Sequence, residues 1–518
     1  MSAVSRARSG STADRDDRRW RDVLVALDVG TSGARAAAFD LDGRRRLEVR
    51  RGYPTVSARP GWAEQDPARW RSAALAALTE LVGRLGPARR VHAIGLTGQC
   101  PTMVLLDAGH RPVTPGLLYR DNRATAEATW IRETLGDETL HRRTGHLPAA
   151  FHIAPKLLWL RRERPAAWAR GALVLQPRDW LGLILTGEPA TDGTHAAATL
   201  VHDLVRRAWA PDLLDALGIP ASWLPPLHGS AEVIGRLRPA VAERVGLPAA
   251  TPVVLGGADS QACALGAGVL VPGPVSEMAG SSTCLNAVVR DPLTTLEVTH
   301  YPHVVGNAFT TETGLNTTGA AVAWLVDLAY GGSAGRAGPA AYTRLDADVA
   351  SVRPGSDGVL VLPVLGDGER TDPALRGSIV GLSLRHDRAV VARALLEGVA
   401  YAIRAQLDQL RAGGAPPTEL RVSGGDTRLE SWNRIKADVT GLPVGAIAGD
   451  AAVTGVAMLA GLGAGVYRDV ADAVAHCVRP EPMIQPDPAA SATYDEAFER
   501  YEALAAAAVV RVGPEAAT

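Results

Sequence analysis

Lysine is almost missing from this chain. Among 54 basic residues only Lys156 and Lys436 are lysines, and all others are arginine. Such a bias looks like genome composition replacing lysine wherever arginine serves. The two survivors therefore mark candidate positions that the broad guanidinium fork does not fit. Cysteine is scarce too. Cys100, Cys263, Cys284 and Cys477 stand far apart without CxxC spacing, which argues against both a zinc site and a disulfide scaffold. The formal net charge is −1, so there is no electrostatic case for nucleic acid or an anionic membrane as partner. Residues 1–21 hold many Arg, Asp and Ser but no apolar core, and the apolar run at 23–27 is too short for a signal sequence or a membrane span. The expectation is a cytoplasmic protein with a disordered leader over residues 1–21.

What is present is a long chain with ample core material. Its 518 residues are 47% hydrophobic, enough for about two to four domains. The most informative stretch is LVALDVGTSGAR, residues 24–35. An apolar run ends in Asp28, a turn follows with Gly30, Thr31, Ser32 and Gly33, and a second apolar run occupies 34–39. Strand, Gly-Thr-Ser-Gly turn, strand is a hairpin whose tip offers backbone N–H groups and hydroxyls to a phosphate, while Asp28 can hold Mg²⁺ through water. Residues 275–289, VSEMAGSSTCLNAVV, repeat the scheme around Gly280, Ser281, Ser282 and Thr283. Two phosphate-type hairpins about 250 residues apart imply a duplicated fold with a nucleotide clamped between its halves.

The intervening segments alternate strand and helix. A helix is expected over 68–85 from the spacing of Trp70, Ala74, Leu78 and Leu81, and a buried strand over 91–97 leads into Gly98-Gln99-Cys100-Pro101-Thr102. Residues 165–250 read as insertions on the first domain. A strand at 252–257 enters Gly-Gly-Ala-Asp-Ser, residues 256–260, with a small-residue helix from Ala262 and a domain boundary near 255. The second half repeats the alternation, with helices at 389–410, 432–440 and 450–464, a polar loop at 366–373, and an Ala-rich helix at 495–510 read as surface packing. This is a layered α/β arrangement, and without a low-complexity linker the halves should share a hinged cleft.

Several collinear blocks resemble the FGGY carbohydrate kinases, most closely their xylulokinase branch. They are ALDVGTSGARAAAFD, GWAEQDPARW, TGQ at 97–99, APKLLWL, GGADSQACALGAG, GERTDP, GLSLRHD with RALLEGVAYAI, and SGGDTRLESWNRIKADVTGLPV. The resemblance spans residues 22 to about 505. It implies an α/β fold of two ribonuclease-H-like domains of the actin and hexokinase type, facing a central cleft. Residues 22–254 would form the N-terminal domain for sugar and phosphate, 255–510 the C-terminal domain with the catalytic Asp and adenosine loop, and 511–518 a tail. It further implies ATP and Mg²⁺ as cofactors, a small sugar as partner, and leaves room for a homodimer.

By the same resemblance Asp259 is the catalytic base, Asp28 the Mg²⁺-organising carboxylate, and Thr31 and Thr283 phosphate contacts beside Gly30, Ser32, Gly280 and Ser281. Gly424 and Gly425 match the adenosine loop, with Asn433 and Trp432 where the adenine pocket closes. The reaction implied is phosphorylation of a ketopentose such as D-xylulose, with another ketose or a polyol as the alternative. A non-catalytic relative should have lost Asp28 or Asp259, and both are present. Departures gather on the sugar side. The branch usually reads GQMHG where this chain has Gly98-Gln99-Cys100-Pro101-Thr102, so a His that contacts sugar is gone. Ser260 replaces a common Asn, Tyr119-Arg120-Asp121-Asn122-Arg123 replaces Trp-Asn-Asp-Gly-Arg, Asp426 replaces a glycine, and Asp450 a frequent Glu. The expectation is a pocket read by Gln99, Cys100, Thr102, Asp121 and Ser260 around Asp259.

Overall fold

Two six-stranded sheets of the same design carry the molecule. The first holds β1 (Asp22–Val29), β2 (Gly33–Asp40), β3 (Arg45–Gly52), β4 (Arg90–Gly98), β5 (Val233–Arg236) and β6 (Pro252–Val254), in the order β5-β6-β4-β1-β2-β3. β1 to β3 form an antiparallel meander, and β4 and β6 continue parallel to β1. The second holds β7 (Pro274–Ala279), β8 (Thr283–Val289), β9 (Thr299–Pro302), β10 (Phe309–Leu315), β11 (Glu419–Gly424) and β12 (Val444–Ala446), in the order β9-β10-β8-β7-β11-β12. β7, β8 and β10 are again antiparallel neighbours, and β11 and β12 run parallel to β7. The repeated hairpins thus head two copies of one sheet plan. This computed structural model describes residues 21–331, 338–366 and 375–508, so the expected leader (but for Arg21), the 511–518 tail and nearly all of the 366–373 loop lie outside the described residues.

Helices cover both sheets for legible reasons. α1 (Pro67–Leu85) is capped by Asp66, whose carboxylate accepts from the Ala68 N–H, and Pro67 occupies the first turn, where no N–H is needed. Trp70, Ala74, Leu78 and Leu81 all bury against the first sheet's core. Next come α2 (Ile153–Glu163), α3 (Pro177–Thr186), α4 (Asp259–Gly266), α5 (Arg388–Ala412), α6 (Glu430–Thr440), α7 (Ala451–Gly463) and α8 (Pro488–Ala508). Two expectations change. α4 begins at Asp259, three residues before Ala262, because Ala258 already has the extended backbone of a cap. α8 is not surface packing: Tyr494, Phe498 and Tyr501, at helical spacing, enter the second core. The Tyr494 hydroxyl accepts from Arg393 at 2.7 Å and donates to the buried Glu397 at 2.9 Å.

The halves meet through α4 and α7. α7 follows the second sheet in sequence, yet Val453, Val456 and Leu459 share a core with Leu24, Ala26, Ala93 and Val254 of the first. α4 and α7 touch backbone to backbone. A Cβ on Gly266 would lie 1.9 Å from the Ala451 carbonyl oxygen, and one on Gly455 would lie 1.9 Å from that of Ala262. Only glycine permits that approach; Asp259 opens one of these two packed helices and Asp450 caps the other. Among the described residues no helix is long and apolar enough to cross a membrane.

Candidate active site

At the end of β1 the first turn is held from behind. Gly30 N–H donates to Gly33 O at 3.1 Å, the Tyr53 hydroxyl donates to Gly30 O, and Gln65 Nε2 donates to Thr31 O at 2.7 Å. Ser32 is exposed and Thr31 half-buried, its hydroxyl 3.5 Å from that of Tyr119. Asp28 lies at the foot of this turn, paired in register with Arg35 on β2. The Arg35 guanidinium contacts Asp28 at 3.0 Å and also Asp450, so one cation spans both halves. Burial raises the Asp28 carboxyl above its ordinary value even though Arg35 pulls it down. Asp450 is also desolvated, but there Arg35 and the amides of Val453 and Ala452 prevail and hold it low.

Asp259 opens α4, with the Ser260 N–H donating to its Oδ1 at 2.9 Å. Burial is the main reason its carboxyl is pushed up to about 7, and the charges of Asp28 and Glu312 add to it. A carboxylate of that kind can accept a proton from an alcohol near neutral pH.

The loop before Asp259 is fixed by side chains that sequence reasoning missed. Arg178 on α3, fully buried, donates to the carbonyls of Leu255 at 3.1 Å and Gly256 at 2.7 Å and pairs with Asp192 and Asp179 at 2.8 and 2.6 Å. Although burial opposes it, the Arg178 charge keeps Asp192 well below the usual carboxylate range. The Thr97 hydroxyl donates to Gly257 O at 2.8 Å, and Ala258 N–H donates to Thr194 Oγ1 at 2.9 Å. Every peptide from 255 to 258 therefore has a fixed partner.

The expected sugar-side set is only partly assembled. Cys100 is half-buried, its thiol pushed well up by burial and by the nearby Asp259 charge. Gln99 is buried; its Nε2 donates to Gln65 at 2.9 Å and its Oε1 has no hydrogen-bond partner. Asp121, expected to read a hydroxyl, is 0% exposed. Arg123 folds back two residues to hold both its oxygens at 2.7 Å, and Ala63 N–H donates at 2.6 Å. Thr102 is equally buried and accepts from Tyr119 N–H. Ser260 donates to Glu312 Oε2 at 2.8 Å, where Gln261 also donates at 3.2 Å. Asp121, Thr102 and Ser260 are thus scaffold in this arrangement. Glu312, unnoticed in the sequence, is a charged residue within a strand buried along its whole length, which could have drawn notice.

Across the cleft the second turn shows Gly280 and Ser281 to solvent. Its carbonyls accept from the N–H groups of Thr318, Gly319 and Ala320 at 3.1, 3.2 and 3.1 Å. Thr283, expected on phosphate, is buried with its hydroxyl 2.9 Å from that of Thr318, and the open hydroxyls are those of Ser281 and Ser282. Gly424 pairs with Ala279 at φ +118°, where a Cβ would come within 2.0 Å of the Ala279 carbonyl oxygen. Gly425 has open space around it, and Asn433 keeps a buried Oδ1 without a partner. Trp432, expected where the adenine pocket closes, is buried. It lies in the second core with the Lys436 ammonium 4.5 Å over its ring, and Lys436 in turn pairs with buried Glu277 at 2.7 Å. The side chain of Asp426 lies outside the described residues.

Comparison with known proteins matches this geometry to a family. Residues 23–266 match the N-terminal domain of the FGGY family of carbohydrate kinases, and 276–464 its C-terminal domain. The chain belongs to the FGGY carbohydrate kinases. It is 31% identical over 430 residues to a xylulose kinase of Escherichia coli K12, covering 81% of this chain and 85% of that one. It is equally 31% identical over 501 residues, 93% of either chain, to an autoinducer-2 kinase of Salmonella choleraesuis. The crystal structure of a xylulose kinase from Rhodospirillum rubrum superposes with a TM-score of 0.85 at 33% identity, covering 94% of this chain and 98% of that one. This FGGY protein is accordingly a phosphotransferase with an alcohol group as acceptor.

Family membership implies ATP, and the residues fit it. The open Gly280–Ser282 turn, the side-chain-free Gly425 and the orphaned Asn433 Oδ1 offer donors and acceptors along one wall. For Mg²⁺, no cluster of three or more His, Cys, Asp or Glu able to hold a metal occurs among the described residues. Asp28 fits the usual alternative, in which one or two carboxylates hold a Mg²⁺ that keeps its waters and phosphate oxygens.

Proposed function

We propose that this FGGY kinase transfers the γ-phosphoryl group of ATP to a hydroxyl of a ketopentose such as D-xylulose, with Asp259 as general base and Asp28 organising Mg²⁺. The observation that carries the reading is the Asp259 carboxyl, pushed up to about 7 by burial and by Asp28 and Glu312, at the junction of the two halves. Bound Mg²⁺ would neutralise charge on the phosphates, and positioning does most of the rest in phosphoryl transfer. Asp28→Ala should raise the Mg²⁺ concentration needed for turnover while leaving sugar binding nearly intact. A normal Mg²⁺ titration of that variant in a turnover assay would remove Asp28 from the metal site.

The acceptor site favours tolerance over strict selection. Cys100 offers a weak S–H donor and Pro101 lacks an N–H, while Asp121, Thr102 and Ser260 are already engaged. Sites lacking dedicated hydroxyl contacts discriminate by roughly 10²-fold, against about 10⁴ to 10⁵ where such contacts exist. Equal similarity to a xylulose kinase and an autoinducer-2 kinase agrees with an acceptor site not tied to one sugar. ADP release should be measured with D-xylulose, D-ribulose, L-ribulose, erythritol and autoinducer-2. We expect D-xylulose turnover, with several acceptors within about 100-fold in kcat/KM. Turnover of none would sink the ketopentose reading, and a 10⁴-fold preference for one would sink the tolerance.

A further inference from the structure

Lys156, one of two lysines in the chain, takes no part in the chemistry above. It sits on α2, 0% exposed. Its ammonium donates to Leu118 O and Phe151 O, each at 2.7 Å, with Leu117 O at 3.4 Å. Three N–H donors thus meet three carbonyls around one point, a geometry the planar guanidinium fork cannot match.

Leu117 and Leu118 come directly before Tyr119, and Phe151 comes just before α2. The Tyr119 N–H donates to Thr102 and its hydroxyl faces Thr31 across the site. The Phe151 ring lies 4.3 Å from that of His152. The Cys100 thiol is near enough to Asp259 to feel its charge, and near enough to Lys156 to lie within electrostatic range of it.

We infer that Lys156 is a positioning residue for the acceptor: by holding the Leu118 and Phe151 carbonyls, its ammonium fixes Tyr119 and Phe151 as the sugar-side wall. It sets affinity for sugar and leaves affinity for ATP alone. The inference rests on the reading above that the sugar lies beside Asp259 and Cys100.

The charge on Lys156 is finely balanced. Burial lowers it to about 7, the charge of Asp121 opposes the shift, and Arg123 adds to it. Asp121 is already paired with Arg123. His152, pushed down to about 3 by burial and by Lys156, stays neutral, and burial keeps the Cys100 thiol protonated. Above neutrality the amine would turn a lone pair toward one of the three carbonyls and loosen the clamp.

The test measures KM for D-xylulose, or the best acceptor of the panel, and for ATP between pH 6 and 9. In the wild type KM for sugar should rise about 10-fold as pH increases through 7, the scale of a lost charged hydrogen bond, with KM for ATP flat. Lys156→Met should start with the raised sugar KM at pH 6, lose its pH dependence, and keep kcat. Lys156→Arg should not rescue it. A wild-type sugar KM that is flat over this range, or KM values for both substrates rising together in Lys156→Met, would overturn the inference. If Lys156→Met is insoluble, Lys156→Gln takes its place in the same pH series. Absence of turnover with every acceptor would overturn the functional reading and this inference with it, whereas turnover with an unmoved sugar KM overturns the inference only.

Discussion

Asp259→Asn should fold, bind ATP and lose turnover by about 10²- to 10⁴-fold, the usual contribution of a general base. The amide keeps the size and the Oδ1 that accepts from Ser260 N–H, so geometry is preserved and only the proton acceptor is lost. The fold should not suffer. A carboxyl raised from 3.8 to about 7 in the folded state costs stability as pH climbs between those values, because the unfolded chain gives up its proton first. Removing the ionisation leaves the variant at least as stable as wild type at pH 8. Retention of more than a tenth of kcat would rule out Asp259 as the base.

Arg178→Met should be the most damaging substitution away from the reacting groups. The guanidinium is fully buried and neutralises Asp179 and Asp192 while holding the carbonyls of Leu255 and Gly256. Removing one partner of a buried ion pair costs about 3–5 kcal/mol because the remaining charge is stranded. Thermal denaturation should show a strongly destabilised protein. Thr97→Val, which deletes only the bond to Gly257 O, should stay folded and lower kcat more than it changes KM for ATP. If Arg178→Met melts like wild type, the network does not hold the loop.

The legible parts of this molecule were local. Asp28 and the two glycine turns sit in continuous apolar–polar–apolar stretches, and each came out as strand, turn, strand. The helix at Asp66-Pro67 announced its own cap. Lysine scarcity also spoke, since Lys156 and Lys436 both proved fully buried at points where a compact ammonium meets carbonyls or a carboxylate. The parts that stayed hidden depend on distance or on a fold-back. Arg178 reaches Gly256 across 78 positions and Ser260 reaches Glu312 across 52, and no periodicity encodes such pairings. Asp121 reads as a free carboxylate until Arg123 turns back on it. Trp432 and the aromatic face of α8 were drawn inward because large apolar rings pay more for staying in water than local composition suggests.

The central claim is that burial and two neighbouring carboxylates poise Asp259 to take a proton at the seam of the two halves. It is tested most directly by the pH dependence of kcat/KM for the acceptor at saturating Mg²⁺–ATP. The profile should show an acid limb that climbs about tenfold per pH unit and bends near pH 7, with that limb missing from the residual activity of Asp259→Asn. A wild-type profile already level from pH 5, or an acid limb unchanged in Asp259→Asn, would contradict it.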